Sequence, residues 1–394
     1  MEKSALVYIF LTVITVGIAL IIRNREYVPL CLKAGYGAGG YRPLNRERAA
    51  NLVAETVIYL LLTGVSACRI AVGNDYWVYR FQFNLIMQNR HVSYESGFNF
   101  VVRLIQDLFG YDEYLPVFGF FSIVTVLFFV MALHDQAENY AFSLFLLLTG
   151  GYYFNSLNTV RYYFALAIAL FSMKYVLRRE FGKFILLILA GALFHKSILL
   201  VIPAYLAAYY LAHTTFRLWH GMVIGAFLVS LVAAKDVYRF VIFKIYPFYE
   251  NSAFDSGRIS YANVAKCLGV LLIYFTARLV RKGKLREKER FYSVLNLFGL
   301  VVFCCGGFIP EVTRIGYYMI ISQIFLIPGV VETLREGEKG QGAEKTISME
   351  YGKWFSRIAA CGSILAFTFY FVLLLKQMYL TDVRLLPYLN WIFN

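Results

Sequence analysis

Apolar residues in this chain fall in long runs rather than in alternation with polar ones. Twelve such segments stand out, at roughly 4–22, 51–68, 115–133, 140–155, 160–177, 184–196, 197–212, 219–234, 260–279, 291–308, 314–332 and 354–375. Most run for about 15–22 residues, the length at which an α-helix crosses ~30 Å of hydrocarbon. Period-two alternation does not dominate, which excludes an outer-membrane barrel. The pattern therefore predicts an all-α fold: a polytopic helical integral membrane protein with about 12 transmembrane helices, forming a single membrane-embedded domain over residues 1–394.

Charge orders these segments across the membrane. Loop 23–50 carries Arg23, Arg25, Lys33, Arg42, Arg46 and Arg48; segment 178–183 carries Arg178, Arg179 and Lys183; loop 278–290 carries seven basic residues from Arg278 to Arg290. Basic loops face the cytoplasm. All three agree on one side only if 184–212 crosses twice, with a reversal near His195-Lys196-Ser197. Segment 184–196 is short for a full span, as expected of a tilted or broken helix, and a broken helix is tolerated where it lines a cavity. This parity places 69–114, the turns at 156–161, 195–197 and 309–314, loop 235–259 and the tail after 376 outside. The long loops 69–114 and 235–259 are each expected to carry a short helix lying on the membrane, and the Gly-rich stretch 333–353 to be a flexible cytoplasmic connector. The N-terminal run lacks a basic leader and a small-residue cleavage site, so it reads as an uncleaved helix with both chain termini extracytoplasmic.

The formal net charge of +14 resides mainly in those loops and is a topology signal, not a nucleic-acid footprint. The six cysteines show neither metal-ligand spacing nor a C-x-x-C pair and read as small apolar fillers. No Gly-rich phosphate loop, zinc spacing or nucleophile elbow occurs, so an ATP-driven pump is disfavoured and neither a metal nor a cofactor is expected.

The candidate chemistry gathers on the outer side. Arg161 heads the run 162–177, where a guanidinium is costly unless it meets a partner or a polar cavity. Its planar fork suits two phosphate oxygens, and Asn158, three residues before it, shares its face if the helix starts early. The alternative is an interfacial Arg reaching for headgroups. His195 lies at the reversal, where an imidazole serves either as a structural hydrogen-bonder or as a base near neutrality. Both Asp75 and Glu95 lie in the 69–114 loop: Asp75 is either a solvated acid or a carboxylate that binds sugar hydroxyls or accepts a proton, and Glu95 is either a helix-start acid or a binding group. Tyr76, Tyr79 and Arg80 beside Asp75 offer stacking faces and a cation. Arg314 opens the 314–332 segment much as Arg161 opens its own, and Arg258 in loop 235–259 is a further outer cation.

The ordered motifs Gly73-x-Asp75-Tyr76-x-x-Tyr79, Tyr94-Glu95-x-Gly97-Phe98, Asn158-x-x-Arg161 and Leu193-Phe194-His195-x-Ser197 resemble those of the EpsG family of Wzy-like polysaccharide polymerases. Arg314-Ile315-Gly316-Tyr317-Tyr318 and Pro387-Tyr388 are similar to its C-terminal half more loosely. Where the family often has Gln after the arginine, this chain has Tyr162. The resemblance implies a glycosyltransferase of the bacterial cytoplasmic membrane. It would move a growing glycan from undecaprenyl diphosphate to a lipid-linked repeat unit, building exopolysaccharide, capsule or O-antigen. Membrane lipid, a chain-length regulator and a flippase are the partners implied, with no nucleic acid. Under that reading Arg161 and Arg314 meet the diphosphate, His195 is the base, and Asp75 and Glu95 orient sugar. The competing readings are a flippase or transporter for lipid-linked oligosaccharides, an O-antigen-ligase-like transferase, and an envelope acyltransferase.

Overall fold

The computed structural model describes residues 3–22, 46–110, 113–215, 217–245, 259–336, 343–376 and 385–392, with isolated positions between 247 and 257. The first half contains α1 (Lys3–Ala19), α2 (Arg46–Ala67), β1 (Arg69–Ile70), α3 (Asp75–Met87), α4 (Ser96–Phe109), α5 (Leu115–Gln136), α6 (Tyr140–Thr149), α7 (Tyr152–Asn155), α8 (Val160–Leu177) and α9 (Phe181–Ala192). After a 3₁₀ turn at Lys196–Leu200 come α10 (Val201–His213), α11 (Leu218–Ala233), α12 (Lys235–Ile245), α13 (Tyr261–Val280), α14 (Glu287–Cys304), α15 (Val312–Ile320), α16 (Gln323–Glu336), α17 (Ala343–Lys376) and β2 (Leu389–Asn390).

The protein is a polytopic helical membrane protein. Eight helical stretches among the described residues are long and apolar enough to span a bilayer, and α11 with α12 forms a ninth only as a pair bent by 77°. The remaining predicted segments, 4–22, 140–155 and 184–196, hold shorter apolar helices. Two of these differ from the expected bounds for identifiable reasons. Asn139 caps α6, its side chain accepting from the Phe142 N–H at 3.0 Å, but Gly150-Gly151 stops the helix six residues early. Gly151 adopts φ +81°, a conformation that L side chains rarely take. Helix α9 starts earlier than expected, at Phe181, and closes in a tight turn in which the Phe194 and His195 N–H groups both donate to the Gly191 carbonyl. At about 1.5 Å per residue, its twelve residues extend only ~18 Å. Loop 69–114 carries two helices, α3 and α4. Both ends of the stretch 333–353 are helical, in α16 and α17.

The chain forms two compact units, residues 1–199 with 356–394, and residues 200–355. The first is built around α8, whose side chains are buried along nearly its whole length against α5 and α9. Ala165, Ala167 and Ala169 let neighbouring helices approach closely. Two charge pairs lie inside this unit: Lys174 Nζ meets Asp135 Oδ2 at 2.5 Å and His134 Nδ1 meets Glu55 Oε2 at 2.9 Å, at the end of the unit away from Arg161. At the other end the chain's last described segment is tied down. Strand β2 pairs antiparallel with β1, Trp391 N–H donates to the Cys68 carbonyl, and the Tyr388 hydroxyl donates to the Val65 carbonyl at 2.9 Å. The hydroxyl of Tyr8 in α1 donates to the Leu385 carbonyl at 2.7 Å.

The second unit packs α14 against α10, α13, α15 and α16. Its interior polar groups bond to one another: Gln323 Nε2 donates to Asn296 Oδ1 at 2.6 Å, and Asn296 Nδ2 to the Cys267 carbonyl at 3.0 Å. Gly316 sits under the Phe303 ring, where a Cβ would lie 2.4 Å from ring carbon.

Candidate active site

Three helices of the first unit begin at one place. Asp75 is the first residue of α3, Glu95 directly precedes α4, and Arg161 is the second residue of α8. Helix N-termini present unpaired N–H groups and the positive end of the dipole, so their convergence favours anionic groups and ligands.

The turn before α8 is locked to the turn before α3. Asp75 N–H donates to Asn158 Oδ1 at 2.9 Å, and the Thr159 hydroxyl donates to Asp75 Oδ2 at 2.9 Å. Gly73 makes this approach possible. It adopts φ +89°, and a Cβ there would sit 2.7 Å from the Asn158 backbone and carboxamide oxygen. The spacing puts Asn158 on one helical face with Arg161 only if the helix starts early, and it does not. Helix α8 starts only at Val160, because Asn158 and Thr159 N–H both bond back to the Asn155 carbonyl in a separate turn. Its carboxamide holds the Asp75 backbone and is not turned to a shared face with the guanidinium.

Arg161 and Glu95 form the centre. Arg161 Nη1 pairs with Glu95 Oε2, and the guanidinium lies over the Tyr94 ring with its carbon 3.5 Å from the centroid. The Arg161 N–H donates to the Tyr79 hydroxyl at 3.3 Å. Arg161 Nε is buried and makes no hydrogen bond. The other Glu95 oxygen, Oε1, accepts from the Lys196 N–H at 3.0 Å and lies 3.7 Å from His195 Nδ1. The α4 start is held to the end of α9 by Gly97 N–H donating to the Leu193 carbonyl at 3.0 Å, and a Cβ on Gly97 would come 2.7 Å from Leu193 Cβ. The His195 ring meets Tyr162 edge-on, centroids 5.6 Å apart, so Tyr162 packs against the imidazole.

Burial by itself would raise the Glu95 carboxyl. The nearby His195 imidazole, the charge of Arg161 and the Lys196 N–H outweigh it and hold the group down at about 2. The sign follows from this depression. The stabilisation from ionised Glu95 is complete above the ordinary value of 4.5 and is lost as pH falls from there through about 2. The melting-temperature gap between wild type and Glu95→Gln in detergent is therefore expected to stay constant from pH 8 to pH 5. A gap that closes near pH 6 would contradict this assignment.

The other predicted site residues divide. Tyr76 is buried and stacks on Phe118 with centroids 4.7 Å apart, so it serves the aromatic core of α3 and α5 and offers no open face to a sugar. Tyr79 is likewise buried, touching the site through its hydroxyl alone. Arg80 lies over the rings of Trp77 and Tyr114, at 5.4 and 4.2 Å. Arg314 belongs to the second unit, where its Nε meets Glu311 Oε2 at 2.8 Å. Arg258 lies outside the described residues. Among described residues no group of His, Cys, Asp and Glu is arranged to hold a metal ion.

Two residues of the site escaped the sequence reading. Thr159 gave no signal beyond its position beside Asn158. Arg69 directly follows an apolar span, where an Arg reads as a loop charge, yet only 1% of it is exposed.

Searches of curated proteins and of solved structures find no match to this chain. The model of one family, described as the EpsG family, matches residues 53–341. That stretch is most of the chain and includes Asp75, Glu95, Asn158, Arg161, His195 and Arg314. The chain thus belongs to the EpsG family, a family of Wzy-like polysaccharide polymerases.

Proposed function

We propose that this protein transfers a glycan from polyprenyl diphosphate to the sugar of a lipid-linked repeat unit at the outer face of the bacterial cytoplasmic membrane. The observation that carries this reading is the convergence of Arg161, Glu95, Lys196 N–H and His195 where three helices begin. An acceptor hydroxyl attacks the anomeric carbon of the donor glycan. A new glycosidic C–O bond forms, the C–O bond to the diphosphate breaks with its electron pair, and the lipid diphosphate departs. The hydroxyl proton passes to His195.

Each residue has a physical task in this step. The guanidinium of Arg161, whose buried Nε has no hydrogen-bond partner, and the α8 N-terminus meet the negative charge that grows on the leaving diphosphate. His195 acts through Nε2, since its Nδ1 side faces Glu95 Oε1. Glu95 has both oxygens engaged, so it orients Arg161 and His195 rather than binding sugar alone. Asp75, set by Thr159 and Asn158, directs acceptor hydroxyls. The basic loops argue for the outer location of the site. The Tyr8–Leu385 bond supports it too, since it brings α1 and the C-terminal segment to one end of the unit.

The test is the glycan profile of a strain lacking this protein. The expected result is a single repeat unit on its lipid carrier, displayed outside. Trapping of that unit inside would indicate a flippase, and accumulation of long unattached polymer a ligase. Either would overturn the proposal.

A further inference from the structure

Arg69 is a fully enclosed charge without a carboxylate. Its Nε donates to the Leu157 carbonyl at 3.0 Å. Its Nη1 donates to the Ser66 carbonyl at the end of α2 and to Ser122 Oγ of α5 at 3.0 Å. The guanidinium carbon lies 5.1 Å from the centroid of the Phe118 ring. Burial pulls its pKa down to about 10, so it remains charged at neutral pH. A buried ion balanced by dipoles and a ring face, with no counter-charge among the described residues, is a poor source of stability, because an apolar side chain of similar volume would fill the space without the desolvation cost.

What the charge holds is more telling. Leu157 immediately precedes Asn158, Thr159 and, two residues on, Arg161. The Leu157 carbonyl is thus gripped from below while the Asn158 side chain grips the Asp75 backbone from above. The backbone of Arg69 is itself fixed, since β1 pairs with β2 through Arg69 opposite Asn390 and Ile70 opposite Leu389. Through its side chain and backbone together, this one residue joins α2, α5, the paired C-terminal segment and the turn that launches Arg161.

We propose that Arg69 is the positioning residue of the candidate active site: by holding the Leu157 carbonyl it sets Asn158, Thr159 and Arg161 against Asp75 and Glu95. It touches no substrate. The inference rests on the polymerase reading above, and its test separates the two. Purified Arg69→Met protein in proteoliposomes is supplied with lipid-linked repeat units extracted from the null strain, beside Asn158→Ala, the double variant and Arg161→Ala. Arg69→Met is expected to melt at or above the wild-type temperature while kcat falls about 100-fold, the scale of a misplacement near 1 Å. KM is expected to change less than about threefold, because the contacts to substrate persist. The losses of Arg69→Met and Asn158→Ala are expected not to multiply in the double variant, as both act through one turn. Wild-type kcat in folded Arg69→Met, or losses that multiply fully, would overturn the inference while Arg161→Ala still reports on the site. Full activity in Arg161→Ala would overturn the site reading and this inference together. Should Arg69→Met fail to accumulate, Arg69→Lys takes its place. An ammonium donates from one nitrogen and lacks the separate Nε and Nη1 positions that reach Leu157 on one side and Ser66 with Ser122 on the other, so the same kcat loss is expected and its absence is equally decisive.

Discussion

An Arg161→Lys protein is expected to lose about 100-fold or more of its polymerising activity, the scale seen when a preorganised donor to a developing anion is removed. The charge survives this substitution, so the loss reports geometry. Arg161 gives Nη1 to Glu95, stacks on Tyr94 and keeps a buried Nε free to donate. A planar fork does all three together. An ammonium on a flexible stem engages Glu95 or an incoming phosphate oxygen, but not both in fixed directions. Glycan gels of a complemented null strain check this: the ladder should shrink to one or a few units while the protein remains in the membrane at wild-type level. A full ladder would return Arg161 to the role of an interfacial charge paired with headgroups.

His195→Ala is expected to lower turnover by about 10²–10⁴-fold, the range of a removed general base, with little change in KM for the lipid-linked acceptor. Its position argues for this role. The tight turn at Gly191 ends α9 and places the imidazole beside Glu95 and against Tyr162, opposite the first turn of α8. Undiminished turnover in His195→Ala would move the base to another group, with Asp75 the next to be tested.

The helical, membrane-spanning character was legible because apolar run length is a direct consequence of bilayer thickness. Segments such as 115–133 and 260–279 are accordingly met by α5 and α13 within a few residues. Places where the backbone turns on local detail were less legible. The run 140–155 is apolar throughout, yet Gly150-Gly151 breaks it, since hydrophobicity does not encode a left-handed φ. Arg161 and His195 stand out as polar residues at the ends of apolar runs, Asp75 and Glu95 as acids of the 69–114 loop, and the structure brings them together. Their division of labour was not visible. Glu95 was read as a sugar ligand, yet both of its oxygens bond to protein groups, and that arrangement depends on α4 docking against the end of α9. Asn158 was expected beside Arg161, because spacing alone cannot tell a helix start from a turn two residues earlier. Arg69 was hidden for a similar reason: a charge just past a span looks the same in sequence whether it points to water or into the core.

The central claim, that this chain lengthens a lipid-linked glycan, is tested most directly by reconstitution. Purified protein in proteoliposomes is given lipid-linked single repeat units, and both glycan length and released lipid diphosphate are followed. The account predicts a growing ladder with one lipid diphosphate released per bond formed, and neither in Arg161→Ala. Repeat units that cross the bilayer without lengthening, or no release of lipid diphosphate, would contradict it.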